Sequence, residues 1–292
     1  PCVLGCFFVP CLFSWFSCFC LLFSYAIARR WDQGTQVCIG LDPFIDRLPA
    51  PFQQQSDGIL AFNKAIVDAT SDLACCFKPQ FAHFAAEQAE AQLKASIAYI
   101  KAHYPDVPVI LDSKRGDIGS TAAMYAREAF EHYGADAVTV NPYMGSDTVL
   151  PFADHADKGV ILLCRTSNPS AAEFQNLLID GEPLYIHVAR RAQQHWNQNK
   201  NIALVVGATA PEEMARIRQA APDLPFLVPG IGAQGGDLPG TVHNGQTAPG
   251  RGLMINASRS ILYASQGTDF AEAARAEALS LRDQIQSLAA AG

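Results

Sequence analysis

Positive charge is in short supply in this chain. Its 292 residues hold 21 Lys and Arg against 28 Asp and Glu, a formal charge of −7. That balance argues against a general nucleic-acid binder, whose surface carries a basic face. It leaves open a phosphate on a small molecule, which a few local donors can hold. Metal-ligand spacings are missing too: no two cysteines stand three apart and no two histidines four apart, so a structural zinc site is not expected. Of nine cysteines, five fall in the first 20 residues, and Cys38, Cys75, Cys76 and Cys164 sit in apolar runs. These four are expected to be small buried hydrophobes in a reducing compartment. His83, His103, His132 and His195 lie in or beside helical patterns and are expected to face solvent.

Charge is absent altogether from residues 1–28, which are crowded with Phe, Cys and Leu before Arg29 and Arg30. The run is long enough to span a bilayer, and the two arginines would then hold the remainder on the cytoplasmic side. A secretory signal fits less well, because no basic region precedes the apolar core. Composition changes abruptly near Tyr25. The expectation is a cytoplasmic protein in which residues 1–22 are an over-extended or artefactual leader outside the domain and residues 23–292 form it, with a membrane tether through residues 1–28 as the alternative.

Beyond the leader, short apolar runs alternate with amphipathic stretches. Strands are expected over 37–41, 75–78, 107–111, 137–140, 160–164, 202–206, 225–228 and 253–256. Helical spacing marks 58–73, 84–103, 121–133 and 184–196. Near-continuous apolar strands, each followed by a helix, predict a parallel sheet covered by helices. Eight such units within about 250 residues match a (β/α)₈ barrel, with a helix over 23–31 closing its bottom. An open doubly wound sheet is the alternative. It calls for a glycine fingerprint after the first strand, where Ile39-Gly-Leu-Asp-Pro43 stands instead of Gly-x-Gly-x-x-Gly.

Polar residues punctuate the carboxyl ends of these strands: Asp42 after the first, Lys78 at the second, Asp112 and Lys114 at the third, Asn141 after the fourth, Thr166 and Ser167 after the fifth. Residues two apart on a strand point the same way, so Asp112 and Lys114 are expected to project together. In a barrel all of these ends converge on one mouth, where such folds keep their active sites. Asp42 alone reads as a solvated cap; the ring as a whole does not. After the seventh strand, Gly230, Gly232, Gly235 and Gly236 offer backbone N–H groups and Gln234 an amide, and Arg259 after the eighth strand adds a bidentate fork. Together they are expected to bind phosphate. Arg115 and Arg165 are either salt-bridge partners or bystanders near the mouth, and Arg29, Arg30, Arg190 and Arg191 read as ordinary charged helix positions.

Leu111-Asp-Ser-Lys-Arg-Gly-Asp-Ile-Gly-Ser-Thr121 closely resembles the signature of the orotidine 5'-phosphate decarboxylase family in its bacterial type 2 branch. Gly40-Leu-Asp-Pro43, Phe77-Lys-Pro-Gln-Phe81, Arg165-Thr-Ser-Asn-Pro169, Pro229-Gly-Ile-Gly-Ala-Gln-Gly-Gly-Asp237 and Asn256-Ala-Ser-Arg-Ser260 match in the same order. The resemblance implies orotidine 5'-monophosphate as substrate, uridine 5'-monophosphate as product, no cofactor and no metal. It implies that Asp42 and Lys78 contact the ribose and anchor the charges, that Asp112 sits beside the substrate carboxylate, and that Lys114 donates the proton. It further implies a homodimer in which Asp117, Ile118 and Thr121 reach the neighbouring subunit's site. Ser167 and Pro229 would meet the pyrimidine, and Gln234 and Arg259 the phosphate. Ser258 stands where related enzymes often have Gly, and its backbone N–H remains a phosphate donor. A Mg²⁺-dependent sugar-phosphate decarboxylase of the same superfamily and a non-catalytic nucleotide-binding barrel are the competing functions.

Overall fold

Apolar runs set the strands, and the helices between them carry each strand back to the same end. The computed structural model describes residues 22–231 and 235–291. Its parallel strands are β1 (Val37–Leu41), β2 (Ala74–Pro79), β3 (Ile110–Arg115), β4 (Ala137–Val140), β5 (Gly159–Arg165), β6 (Ile202–Val206), β7 (Phe226–Val228) and β8 (Leu253–Ala257). Each strand pairs with the next in sequence, and β8 pairs back onto β1 with Val37 opposite Ile255. Parallel bridges between Phe77 and Val109 and between Gln80 and Asp112 join β2 to β3 and close the barrel. The expected (β/α)₈ architecture is the observed one.

Side chains alternate across this sheet. Val37, Ile39, Leu41, Val138, Val140, Leu162, Leu204, Phe226 and Ile255 point outward and are buried against the surrounding helices. Cys38, Cys76, Ile110, Ala137, Ile161, Ala203, Leu227 and Met254 point inward and form a second, smaller cluster with Phe23 and Ile27. Those two come from α1 (Phe23–Asp32), which plugs the bottom of the barrel. Burying each is worth about 1.5–3 kcal/mol. Gly159 at the start of β5 makes room: a Cβ there would lie 2.2 Å from Phe23 Cδ1. Arg30 is not the ordinary surface position its sequence context implied. It is buried, and its guanidinium donates to the carbonyls of Ala74 and Ser71 at 2.8 Å each. These bonds tie α1 to the entry of β2, and burial lowers the Arg30 pKa against the pull of nearby acids.

Two expectations shift in detail. Strand three runs Ile110–Arg115 rather than 107–111. Pro108 has no N–H to give a ladder, and the Val109 N–H goes to the Asp136 carboxylate at 3.0 Å. The long helical pattern over 84–103 is broken, with Gln88 in the left-handed region (φ 53°) between the helix Phe81–Ala86 and the helix Glu90–His103. Cys38, Cys75, Cys76 and Cys164 are all buried free thiols, as expected. Of the four histidines, His103, His132 and His195 are exposed, whereas His83 is half-buried and contacts the Pro43 carbonyl oxygen at 3.2 Å. Among the described residues, no helix is long and apolar enough to cross a membrane. The leader, but for Leu22, lies outside the described residues.

Candidate active site at the barrel mouth

The inward parity of each strand continues upward from the apolar layer into a polar one. Cys38 leads through Gly40 to Asp42, Cys76 to Lys78, Ile110 to Asp112, Ala137 to Thr139 and Met254 through Asn256 to Ser258. Their side chains line a cavity of about 540 Å³ at the carboxyl end of the barrel, a volume typical of a small-molecule site. Leu163, Val205 and Leu227 supply an apolar wall, and Ser167, Pro229 and Arg259 stand at the rim. The sequence-derived set therefore largely converges: Asp42, Lys78, Asp112, Lys114, Ser167, Pro229, Ser258 and Arg259 share one cavity.

Asp112 is the hub. It is 6% exposed, and both of its oxygens are doubly engaged. Oδ2 accepts from Lys78 Nζ at 3.0 Å and from Gln80 Nε2 at 3.3 Å. Oδ1 accepts from Lys114 Nζ at 2.8 Å and from the Thr139 hydroxyl at 2.9 Å. Burial alone would raise the Asp112 pKa, but Lys78 and Lys114 outweigh it and hold the carboxyl well below the usual carboxylate range. Lys78 is 5% exposed. Burial pulls its pKa down, yet Asp112 and Asp42 together push it above the ordinary lysine value. Lys114 differs from both, since its side chain is 47% exposed and opens into the cavity.

The way Asp112 and Lys114 come together departs from regular strand parity. Between Leu111 and Arg115 the register against β4 slips: Leu111 faces Val138 and Arg115 faces Val140, so β3 holds two residues more than its partner there. Lys114 takes up the slack in the left-handed region (φ 47°), a conformation uncommon for a residue with a side chain. Its N–H donates to Thr139 Oγ1 at 2.9 Å.

Other predicted residues sit elsewhere. Asp117, Ile118 and Thr121 do not line the cavity of their own chain. Asp117 Oδ1 accepts from the Ile118 N–H at 2.8 Å, and the Asp117 N–H donates to Thr148 Oγ1 at 3.1 Å. Ile118 is 51% exposed, close in sequence to exposed Met124 and followed along the chain by exposed Tyr143 and Met144. Asn141 turns away from the mouth and caps its own turn, accepting from the Tyr143 N–H at 3.1 Å. Gln234 lies outside the described residues. The roots of its loop are pinned, with the Gly236 N–H on the Gly230 carbonyl at 3.0 Å and the Asp237 N–H on that of Ala208 at 3.1 Å. Arg165 and Arg115 are salt-bridge partners, of Glu213 and Glu128 respectively.

Sequence reasoning assigned no site role to Thr139, Gln80, Asn256 or Gly207. Thr139 and Asn256 were within reach, because each stands two residues beyond an inward apolar position on its strand. Gly207 follows β6, and a Cβ on it would lie 2.8 Å from the Ser167 Cα and 2.9 Å from the Ser167 N. No side chain fits between the two loops. Asp42 Oδ1 and Ser258 Oγ are buried without a hydrogen-bond partner, and polar atoms in that state normally wait for a ligand or water.

The sequence pattern of the orotidine 5'-phosphate decarboxylase / HUMPS family matches residues 35–276. The chain is 60% identical over 266 residues to the orotidine 5'-phosphate decarboxylase of Cellvibrio japonicus, covering 90% of this chain and 97% of that protein. Its fold is similar to the solved OMP decarboxylase of Leishmania donovani, with a TM-score of 0.81 at 37% identity over 93% of this chain and 100% of the other. It is likewise similar to the UMP synthase of the same organism, with a TM-score of 0.82 at 38% identity; the match covers 92% of this chain but 57% of that longer one.

Proposed function

Because the chain belongs to the orotidine 5'-phosphate decarboxylase / HUMPS family, a carboxy-lyase family acting in pyrimidine biosynthesis, we propose that Lys114 is the proton donor of its reaction. Its substrate is orotidine 5'-monophosphate, and its products are uridine 5'-monophosphate and CO₂. The observation that carries the assignment is the Lys78–Asp112–Lys114 chain of ion pairs at 3.0 and 2.8 Å at the cavity, in which Lys114 is the exposed member and the other two are buried.

Decarboxylation breaks the bond between C6 and the carboxylate and leaves the electron pair on C6, a vinyl-type carbanion with no adjacent electron sink. The Lys114 ammonium, held by its ion pair with Asp112, stabilises that pair as it forms and then gives C6 its proton. Lys114 is left neutral and recovers a proton from solvent, which its exposure allows. Asp112 stands beside the departing carboxylate, and Lys78 keeps Asp112 ionised. On this reading Asp42 and Lys78 meet the ribose, Ser167 and Pro229 the pyrimidine, and Gln234, Arg259 and the Ser258 N–H the phosphate. Arg259 is exposed at the start of the helix Arg259–Leu262, free to fork onto an oxyanion. The phosphate supplies binding energy remote from the reacting bond.

No cofactor enters this scheme. All four hydrogen bonds to Asp112 come from protein donors, so a Mg²⁺ ion there would have to displace two ammonium groups. The charge array thus favours cofactor-free decarboxylation over the Mg²⁺-dependent alternative. The same reading makes the enzyme a homodimer in the cytoplasm, where thiols such as Cys38 stay reduced. Asp117, Ile118 and Thr121 would then serve the neighbouring site. Their absence from their own cavity and the apolar exposure of Ile118, Met124, Tyr143 and Met144 support this.

Mixing two inactive variants tests both parts. Lys114→Ala and Asp117→Ala should each lose more than about 100-fold in turnover of orotidine 5'-monophosphate followed by ultraviolet absorbance. When subunits exchange, a hybrid dimer regains one site holding Lys114 and the partner subunit's Asp117, and activity returns. Near-normal turnover by Lys114→Ala removes the proton-donor assignment, and mixtures that stay inactive after confirmed exchange remove the shared site.

A further inference from the structure

We propose that Thr139 is a positioning residue for this reaction, holding both the backbone and the counter-charge of Lys114 through one hydroxyl. The inference rests on the assignment of Lys114 as proton donor. Thr139 lies on β4, opposite the irregular stretch of β3, and is 1% exposed. Its Oγ1 donates to Asp112 Oδ1 at 2.9 Å and accepts from the Lys114 N–H at 2.9 Å. A hydroxyl has one proton and two lone pairs, so both bonds exist at once.

Each bond answers a problem that the β3 irregularity creates. The two extra residues take Lys114 out of the ladder, and its N–H finds the threonine oxygen instead. A partly buried N–H without that acceptor is costly. The left-handed backbone of Lys114 is also unfavourable for a residue with a side chain, and a fixed hydrogen bond at that same residue opposes relaxation towards the ordinary strand conformation. On the other side, the Lys114 ammonium and the Thr139 hydroxyl share Asp112 Oδ1. The threonine fixes that oxygen where the ammonium must point. Both hydrogen bonds of the Thr139 hydroxyl go to these two groups, so what the bonds do for the chemistry passes through Lys114 and Asp112.

A hydroxyl in this role predicts a specific pattern among substitutions. Thr139→Val keeps the branched shape and loses both bonds, Thr139→Ala loses the bonds and the bulk, and Thr139→Ser keeps the hydroxyl. Misplacement of a reacting group by about 1 Å can cost 100-fold, so Thr139→Val and Thr139→Ala should lower kcat by about 10- to 100-fold. KM for orotidine 5'-monophosphate should stay within about threefold, because neither bond contacts the nucleotide. Thr139→Ser should keep kcat within about threefold of the parent. A valine variant with parental kcat overturns the proposal, and so does a serine variant as impaired as the valine one, since shape rather than the hydroxyl would then matter. If the valine variant does not fold, the serine–alanine pair decides on the same criteria. Lys114→Ala in the same assay separates the two levels: inactive Lys114→Ala with fully active Thr139→Val removes only the positioning role, whereas active Lys114→Ala removes the assignment beneath it and the positioning role with it.

Discussion

Asp112→Asn is the sharpest perturbation of the array, because the structure predicts not only a loss but a change in the sign of a pH dependence. Asn keeps the shape of Asp and turns one acceptor into an NH₂ group. Whichever way the amide faces, an NH₂ group meets an ammonium, Lys78 Nζ on one side or Lys114 Nζ on the other. Lys114 can swing into solvent. Lys78, 5% exposed, cannot. Removing one partner of a buried ion pair costs about 3–5 kcal/mol, and Asp42, which still attracts Lys78, places this variant near 3. For a chain of this size about 1 kcal/mol moves Tm by 2–4 °C, so a drop of roughly 6–12 °C at pH 7 is expected.

The sign follows from linkage. In the parent, Lys78 is raised above its unfolded value of about 10.4; its contribution is full below that value and is lost as pH rises through the folded pKa. Asp112 is depressed, so its contribution is full above an unfolded value of about 3.9 and is lost as pH falls below it. Neither contribution changes between about pH 5 and 9. In Asp112→Asn, burial dominates and pulls Lys78 below its unfolded value. The unfolded chain then binds more protons than the folded one, and stability rises with pH. Thermal melts of both proteins at pH 7 and pH 9 read this directly: the deficit of the variant should shrink at the higher pH. A deficit under about 1 °C, or one that stays constant or grows towards pH 9, would refute the account of Lys78 and Asp112 as a mutually dependent buried pair.

Two further outcomes follow from the rim. Arg259→Ala should raise KM for orotidine 5'-monophosphate by about 100-fold or more while barely changing turnover of orotidine, which lacks the phosphate; equal effects on both substrates in a steady-state comparison would take Arg259 off the phosphate. Gly207→Ala places a methyl group 2.8 Å from the Ser167 Cα, so the β5 loop must move and KM should rise about 10-fold with the barrel's Tm little changed; unchanged KM would show that Ser167 does not depend on that close approach.

Much of this was legible in the chain. The near-continuous apolar runs place seven of eight strands to within a residue at each end. The exception is β3, where Pro108 and the Val109–Asp136 bond delay the ladder and a register slip extends it. The convergence of Asp42, Lys78, Asp112 and Lys114 follows from strand ends meeting at one mouth. Thr139 and Asn256 were given no role for a different reason: a single polar residue inside an apolar strand looks like ordinary strand composition until its inward parity is followed. Gly207 is silent in sequence, because its value lies in what the neighbouring loop needs. Arg30 was misjudged because its carbonyl partners, Ala74 and Ser71, lie more than 40 residues away.

The register slip in β3 explains why the array can be both buried and reactive. A regular strand would place Asp112 and Lys114 on one side but leave Lys114 in the ladder, its backbone shared with β4. The slip frees that backbone, lets Lys114 reach back to Asp112 at 2.8 Å, and leaves most of the charge inside while one ammonium faces the cavity. Within one subunit the four groups Asp42, Lys78, Asp112 and Lys114 sum to zero formal charge, which leaves Arg259 at the rim as the surplus cation for the phosphate. On the proposed reading, the partner subunit's Asp117 and the substrate carboxylate then add two negative charges near the exposed Lys114 ammonium. Loss of CO₂ moves one of those charges onto C6, and proton transfer from Lys114 cancels it where it lands. A neutral array that becomes complete only when two subunits and the nucleotide meet is chemically idle until all three are in place.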